Sequence, residues 1–309
     1  TYSLQVNNHL HLVTTMSRAI PIEEMVETFK RNHKTSHLFK IDNFSLLKKH
    51  QIQRVESSVF NLGVHKWKII VYPNGNKNAN GYVSIFLENQ HSVHVELEYQ
   101  VYVVSQLMPQ WHPKKNVKWN FGTSSTPIRK GFSKLMSLAD LESKGYLIGD
   151  CCMFGATLVG VEPGTHGTAE CFSLIEKPLS HRVTWMMTPF SCFELGKARH
   201  SNEFVIGNRK WRIKVQEKHK SLSVYLSGEG FINDAPKTKT FAKFKLRVLD
   251  QMNHNHVEKT DSDWVDEEHD DKNGFEDFMP LCKLGGPYLV NDKLYVGVDF
   301  EVISMTKYC

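Results

Sequence analysis

At 309 residues the chain is too long for one small domain and suits two of ordinary size, and 40% hydrophobic residues with 23% charged allow a core in each half. A net charge of +5 is mild, and without Lys and Arg clustered among aromatics it argues against a nucleic-acid partner. No apolar run approaches the ~18–20 residues of a membrane span.

The six cysteines are scattered, unlike the framework of a small secreted domain, and no CxxC pair suggests zinc. Adjacent Cys151 and Cys152 point to opposite faces of a strand, so one is expected in the core and the other on the surface. The chain begins at Thr1 without a Met, which leaves a removed signal peptide open; the cytoplasm is favoured over a vacuolar or secreted destination. Asn43-Phe44-Ser45 is a glycosylation sequon, a triplet that often arises by chance.

Residues 1–34 read as a lead-in, with a short strand at 2–6. Pro21 then precedes Ile22, Met25, Val26 and Phe29, whose spacing predicts a packing helix. The first domain spans 35–162. It opens on a strand near 37–45, and its centre is Trp67-Lys68-Ile69-Ile70-Val71-Tyr72-Pro73-Asn74-Gly75. There Trp67, Ile69 and Val71 alternate with Lys68, Ile70 and Tyr72, the period of a strand with one face on a core. Pro73 and Asn74-Gly75 end it, because Pro lacks a donor and Asn-Gly tolerates positive φ. Strands follow at 82–87 and 93–105, then a polar loop, Gly131-Phe132, a short helix near 138–141 and a closing strand at 154–161.

Residues 163–180 are the linker, marked by Pro163, Gly164 and Gly167. Cys171-Phe172-Ser173-Leu174-Ile175 is more apolar than a floppy tether, so the linker is expected to pack and hold the two halves in a fixed relation. The second domain, 181–309, repeats the first: Trp211-Arg212-Ile213-Lys214-Val215 answers Trp67, and Gly274-Phe275 answers Gly131-Phe132. The acidic run from Glu258 to Asp271 reads as a solvated loop, since its spacing fails the calcium-loop pattern. Many short strands between turn signals predict an antiparallel β-sandwich in each half.

These motifs, ordered alike in both halves, resemble the MATH (meprin and TRAF homology) domain. The carrying residues are the opening strand with Phe44-Ser45, the Trp67–Gly75 strand and turn, Gly131-Phe132 before Leu138-Ala139-Asp140-Leu141, and Gly145-Tyr146-Leu147. In the second copy, Tyr288-Leu289-Val290-Asn291-Asp292 repeats the ending. Tandem copies with a Tyr-Pro-Asn-Gly-Asn turn most resemble plant proteins of the TRAF-like family. The resemblance implies an all-β fold of two tandem eight-stranded antiparallel sandwiches, each with a short helix. It also implies a non-catalytic adaptor that binds a protein or extended peptide and needs no cofactor or metal.

Family members hold peptides in a shallow groove lined by aromatics, by strand-like recognition. Carried over by motif, the groove aromatics are Phe86, Tyr99, Trp119 or Phe121, and Phe132 in the first copy, and Tyr225, Phe244, Trp264 and Phe275 in the second. The sequence departs where the family has Trp before that Gly: Lys130 and Asn273 stand there.

No GxSxG, phosphate-loop or dinucleotide motif occurs, and with Tyr308-Cys309 directly after the last strand no attached catalytic module is expected. His9/His11 and His254/His256 form H-x-H pairs without a third ligand in sight. Two other readings compete. A lectin-like sandwich would use Trp111 and Trp119 near Asn116 and Asn120. A homo- or hetero-oligomer would pair through an exposed edge strand.

Overall fold

A computed structural model describes residues 22–34, 36–90, 95–107, 111–113, 116–121, 128–160, 167–192, 194, 196–232, 235–266 and 270–309. The lead-in strand expected at 2–6, and His9 and His11, lie outside the described residues.

The first sandwich has two layers. One contains β1 (Ser36–Asp42), then the edge pieces β2 (Val55–Glu56) and β3 (Phe60–Leu62) that cross to the other layer. That second layer is completed by β4 (His65–Tyr72), β5 (Tyr82–Asn89) and, after the excursion described next, β9. The chain returns to the β1 layer for β6 (Val95–Val104), β7 (Trp111–His112) and β8 (Val117–Phe121). It then crosses for β9 (Arg129–Ser137) and comes back for β10 (Leu147–Ile148) and β11 (Cys151–Val159). Three helices accompany it: α1 (Ile22–Asn32), α2 (Phe44–Lys49) and α3 (Leu138–Ser143).

After β12 (Thr168–Glu176) the second sandwich repeats the order. Its strands are β13 (Arg182–Met187), β14 (Arg199–His200), β15 (Phe204–Ile206), β16 (Arg209–Lys218) and β17 (Ser221–Phe231). They continue as β18 (Thr240–Val248), β19 (Val257–Val265), β20 (Asp270–Pro280), β21 (Leu289–Val290) and β22 (Lys293–Tyr308). Its short helices are single 3-10 turns at Phe190–Cys192 and Leu281–Lys283. The fold is all-β: two tandem antiparallel sandwiches.

The duplication extends to single hydrogen bonds. Trp67 and Trp211 are both fully buried, and their indole N–H groups donate to Leu62 O and Ile206 O. Ser57 Oγ accepts from Ile69 N at 2.8 Å, and Ser201 Oγ from Ile213 N at 3.0 Å. The two-residue hairpins Gly149-Asp150 and Asn291-Asp292 hold all four residues at positive φ, as a type I′ turn requires. Each turn's Asp accepts from the backbone N–H and hydroxyl of the Ser that ends the opening motif, Ser45 and Ser191. Gly75, at φ 77°, closes the turn after β4 where a Cβ would lie 1.9 Å from Ala79 O.

The segment read as a linker contributes a full strand. β12 pairs in parallel with β1 and antiparallel with β22, so one twelve-stranded sheet runs through both sandwiches. Along a single edge of β22, β13 covers residues 294–299 and β12 covers 302–308. Phe172 and Leu174 of β12, with Phe241 and Val302 of the second sandwich, complete the first core.

Two local expectations are corrected. Cys151 and Cys152 are both buried. Cys152 faces the sandwich core, while Cys151 lies on the outer face, where Met25, Val26 and Phe29 of α1 cover it. The acidic run is not a loop over residues 257–265: it is strand β19, with Glu258, Asp261 and Asp263 spaced along a strand that, among the described residues, pairs only with β18. Charges at such an edge discourage pairing with another chain. The sequon Asn43 has its amide committed, donating to Leu174 O at 2.9 Å.

Candidate functional site

In the β4–β5–β9 sheet, Trp67, Ile69 and Val71 turn inward, which sends Lys68, Ile70 and Tyr72 to the outer face. Phe86 joins them there, edge-on to Tyr72 at 5.8 Å between ring centroids. Directly across from Phe86 is Gly131. A Cβ at Gly131 would stand 2.0 Å from Ile85 O, so the two strands meet at a separation only glycine permits.

One step on in the same register, Phe132 lies opposite Ile85 and so faces inward by strand alternation; the bulge comes only after it, between the Ile85–Phe132 and Val83–Met136 pairs. Half-buried Phe132 sits 6.0 Å from Trp119 of β8, and Trp119 meets Tyr99 edge-on at 4.7 Å. Among the described residues β9 is the last strand of its sheet and has no ladder partner on its far side. Phe132 and Trp119 therefore flank a free strand edge.

The second sandwich repeats the backbone and changes the chemistry. Tyr225 lies opposite Gly274, whose φ of 146° and 2.3 Å Cβ approach to Val224 O again require glycine. Lys214 Nζ stands 5.5 Å over the Tyr225 ring. Phe275 packs on Phe278 at 6.1 Å, and Lys259 Nζ lies 5.3 and 5.7 Å over those two rings. Where Phe132 is met by an indole, Phe275 is met by a cation.

The structure divides the eight candidate residues. Phe86 and Tyr225 are on outer sheet faces, where Phe86 is half-buried and Tyr225 buried, and Phe132 and Phe275 are half-buried at the open sides. Tyr99, Phe121 and Phe244 are fully buried. Strand alternation turns them into the two cores, where a ligand cannot reach them without unfolding. The Tyr99 hydroxyl is buried without a hydrogen-bond partner among the described residues, and burial pushes its pKa up. Trp264 is elsewhere altogether: it packs on Phe241 at 5.6 Å and Phe172 at 6.4 Å, at the junction of the sandwiches. Tyr72 and Lys259 belong to these sites and were missed. Tyr72 had a signal, its place on the polar face of the Trp67 strand; Lys259 sat in a segment misread as a loop.

Trp119 does not offer a free ring for a sugar, being engaged by Tyr99 and Phe132. His256 Nδ1 accepts from Asp250 N at 3.1 Å, so it is part of a turn. Among the described residues no three His, Cys, Asp or Glu side chains converge as metal ligands.

Both sandwiches are similar to known proteins. The MATH domain model matches residues 36–158 and again 182–300. Ubiquitin C-terminal hydrolase 13 of Arabidopsis thaliana is 30% identical over 139 residues, 43% of this chain and 12% of the hydrolase. A MATH domain and coiled-coil domain-containing protein of the same plant is 30% identical over 144 residues, 42% of this chain and 50% of that protein. The chain thus spans at most half the length of these relatives, and a small part of the hydrolase. Among solved structures, TRAF5 of Notothenia coriiceps aligns with a TM-score of 0.32 and 16% identity, over 46% of this chain and 82% of that one. With both sandwiches matched, covering well over half its residues, the chain belongs to the MATH domain family.

Proposed function

We propose that this protein is a non-catalytic adaptor whose first sandwich receives an extended segment of a partner protein along β9. The supporting observation is the unpaired edge of β9 beside the half-buried Phe132 and Trp119. An added strand would satisfy the edge backbone groups, while alternate side chains of the partner enter the aromatic notch. Lys130, in place of the family's Trp, leaves that notch more open and more polar. The β20 edge, with Lys259 over Phe275 and Phe278, favours a different segment or serves as support.

A peptide-display selection against the folded chain, followed by anisotropy titration of the selected peptide, tests the reading. Phe132→Ala is expected to weaken binding at least tenfold, as truncating an interface aromatic does; Phe86→Ala, on the other face, leaves it unchanged. Binding that survives Phe132→Ala, or selection of no peptide alongside a bright glycan array, would overturn it.

A further inference from the structure

Because β12 stitches the sandwiches edge to edge, a groove forms between them that neither could make alone. It is two connected clefts of about 700 and 830 Å³ that share Lys49, His50 and Lys243. One wall is the end of α2 and the chain leading into β2, residues 49–56. The other is the surface of β18, β19 and β22, with the end of β12 between them. Trp264 and Phe241 line the first cleft.

The groove is electrostatically one-sided. Seven Lys and Arg side chains line the two clefts, against the four carboxylates Glu56, Glu176, Asp299 and Glu301. All four are paired: Glu301 with Lys243 at 3.0 Å, and each of the other three with two basic side chains. Glu176 accepts from Lys49 and His50, both at 2.7 Å, which hold its carboxyl below the usual range. Asp299 is held by Arg182 at 2.8 Å and Arg247 at 2.9 Å. Glu56 is paired with both Arg54 and Lys68. The remaining acids near the rim are spoken for in the same way: Asp266 by Lys239, and Glu258 by Lys245 and Arg247. Counting these additions on both sides leaves the positive excess unchanged. Arg54 also keeps a buried Nε with no hydrogen-bond partner among the described residues.

We propose that this junction groove is a second binding site, which takes an acidic, extended segment of a partner protein with an apolar residue seated against Trp264. Carboxylates of the segment would bridge the under-neutralised Lys and Arg side chains from both walls, a pairing that clefts of one sign favour. The two walls are fixed by the β12 ladder, so the site is preformed and binding need not order the domains. A nucleic acid would need ring faces along its path for its bases, and the lining offers a single accessible aromatic cluster.

The test uses the full chain and a fluorescein-labelled twelve-residue peptide of alternating Glu and Val with one central Leu, read by anisotropy. A Lys-and-Val peptide and a single-stranded oligonucleotide of matched charge are the controls. The Glu peptide is expected to bind and to weaken as salt rises, and the Lys peptide to stay free. Paired reversal, Lys239→Glu with Lys243→Glu, is expected to lose at least tenfold, whereas Phe132→Ala changes nothing. Circular dichroism confirms that each variant folds; both lysine side chains are about two-fifths exposed and belong to neither core, though each reversal also breaks an ion pair, to Asp266 and to Glu301. The proposal is overturned if the Glu peptide does not bind, if the reversal leaves its affinity unchanged, or if the oligonucleotide binds more tightly. Loss in Phe132→Ala alone would move the peptide to the β9 edge, overturning this site while sparing the adaptor reading.

Discussion

Glu170 of β12 accepts hydrogen bonds from both the backbone N–H and the hydroxyl of Ser58, and both residues are buried. The joining strand is thereby pinned to a loop of the first sandwich by a side chain as well as by its ladder. Glu170→Ala strands both Ser58 donors away from water and is expected to cost about 1–3 kcal/mol in urea unfolding. Glu170→Gln keeps acceptor capacity and should cost less. Equal effects from the two would mean that the carboxylate merely fills space.

At Gly131 and Gly274 the neighbouring strand is too close for a methyl group. Alanine at either position must push the strands apart, and overpacking of this kind costs about 1–3 kcal/mol. Gly274→Ala should be the worse of the two, because its φ of 146° is also strained for any L side chain. Thermal unfolding of the two variants checks the order.

Trp264 bridges Phe241 of the second sandwich and Phe172 of the joining strand. Its truncation to Ala removes a half-buried ring, so the loss should fall below the ~3–5 kcal/mol of a fully buried aromatic. Calorimetry is expected to resolve two transitions in place of one, the second sandwich melting first. A single shifted transition would place the coupling in the β12 ladder alone.

Ser191 donates its N–H at 2.7 Å and its hydroxyl at 2.6 Å to Asp292, and these bonds hold that carboxyl below its ordinary 3.8. A carboxylate with a depressed folded-state pKa contributes stability above its unfolded-state value and loses it as pH falls through the folded one. Wild type and Ser191→Ala should therefore differ near neutral pH and converge below about pH 4. Parallel stability curves would remove Asp292 from the acid response.

Much of the fold was legible because period-2 alternation and turn residues are local signals, and Trp67 with Trp211 gave the repeat. The strand nature of β12 could be sensed from Phe172 and Leu174, but its partners could not, since a ladder partner is set by topology. The site was read less well. Tyr99 and Phe244 are aromatics on strands like Phe86, and only the facing sheet decides which side of the pleat meets a core. Phe132 reaches the open side because β9 is the last strand of its sheet among the described residues, and strand order leaves no mark in composition. Glu258, Asp261 and Asp263 misled by charge, since an edge strand can be as polar as a loop.

The shared use of β22 gives synthesis of this protein an order. As the chain emerges, residues 36–160 can close the first sandwich, and β12 can dock on β1 soon after. The far edge of β12 then stays bare until residues 302–308 arrive, more than a hundred residues later. Through that interval the nascent chain carries an unsaturated sheet margin flanked by Phe172 and Leu174, a template for pairing with any neighbour on the same polysome. Its protection in the cell falls to the speed of elongation and to whatever chaperone waits at the exit.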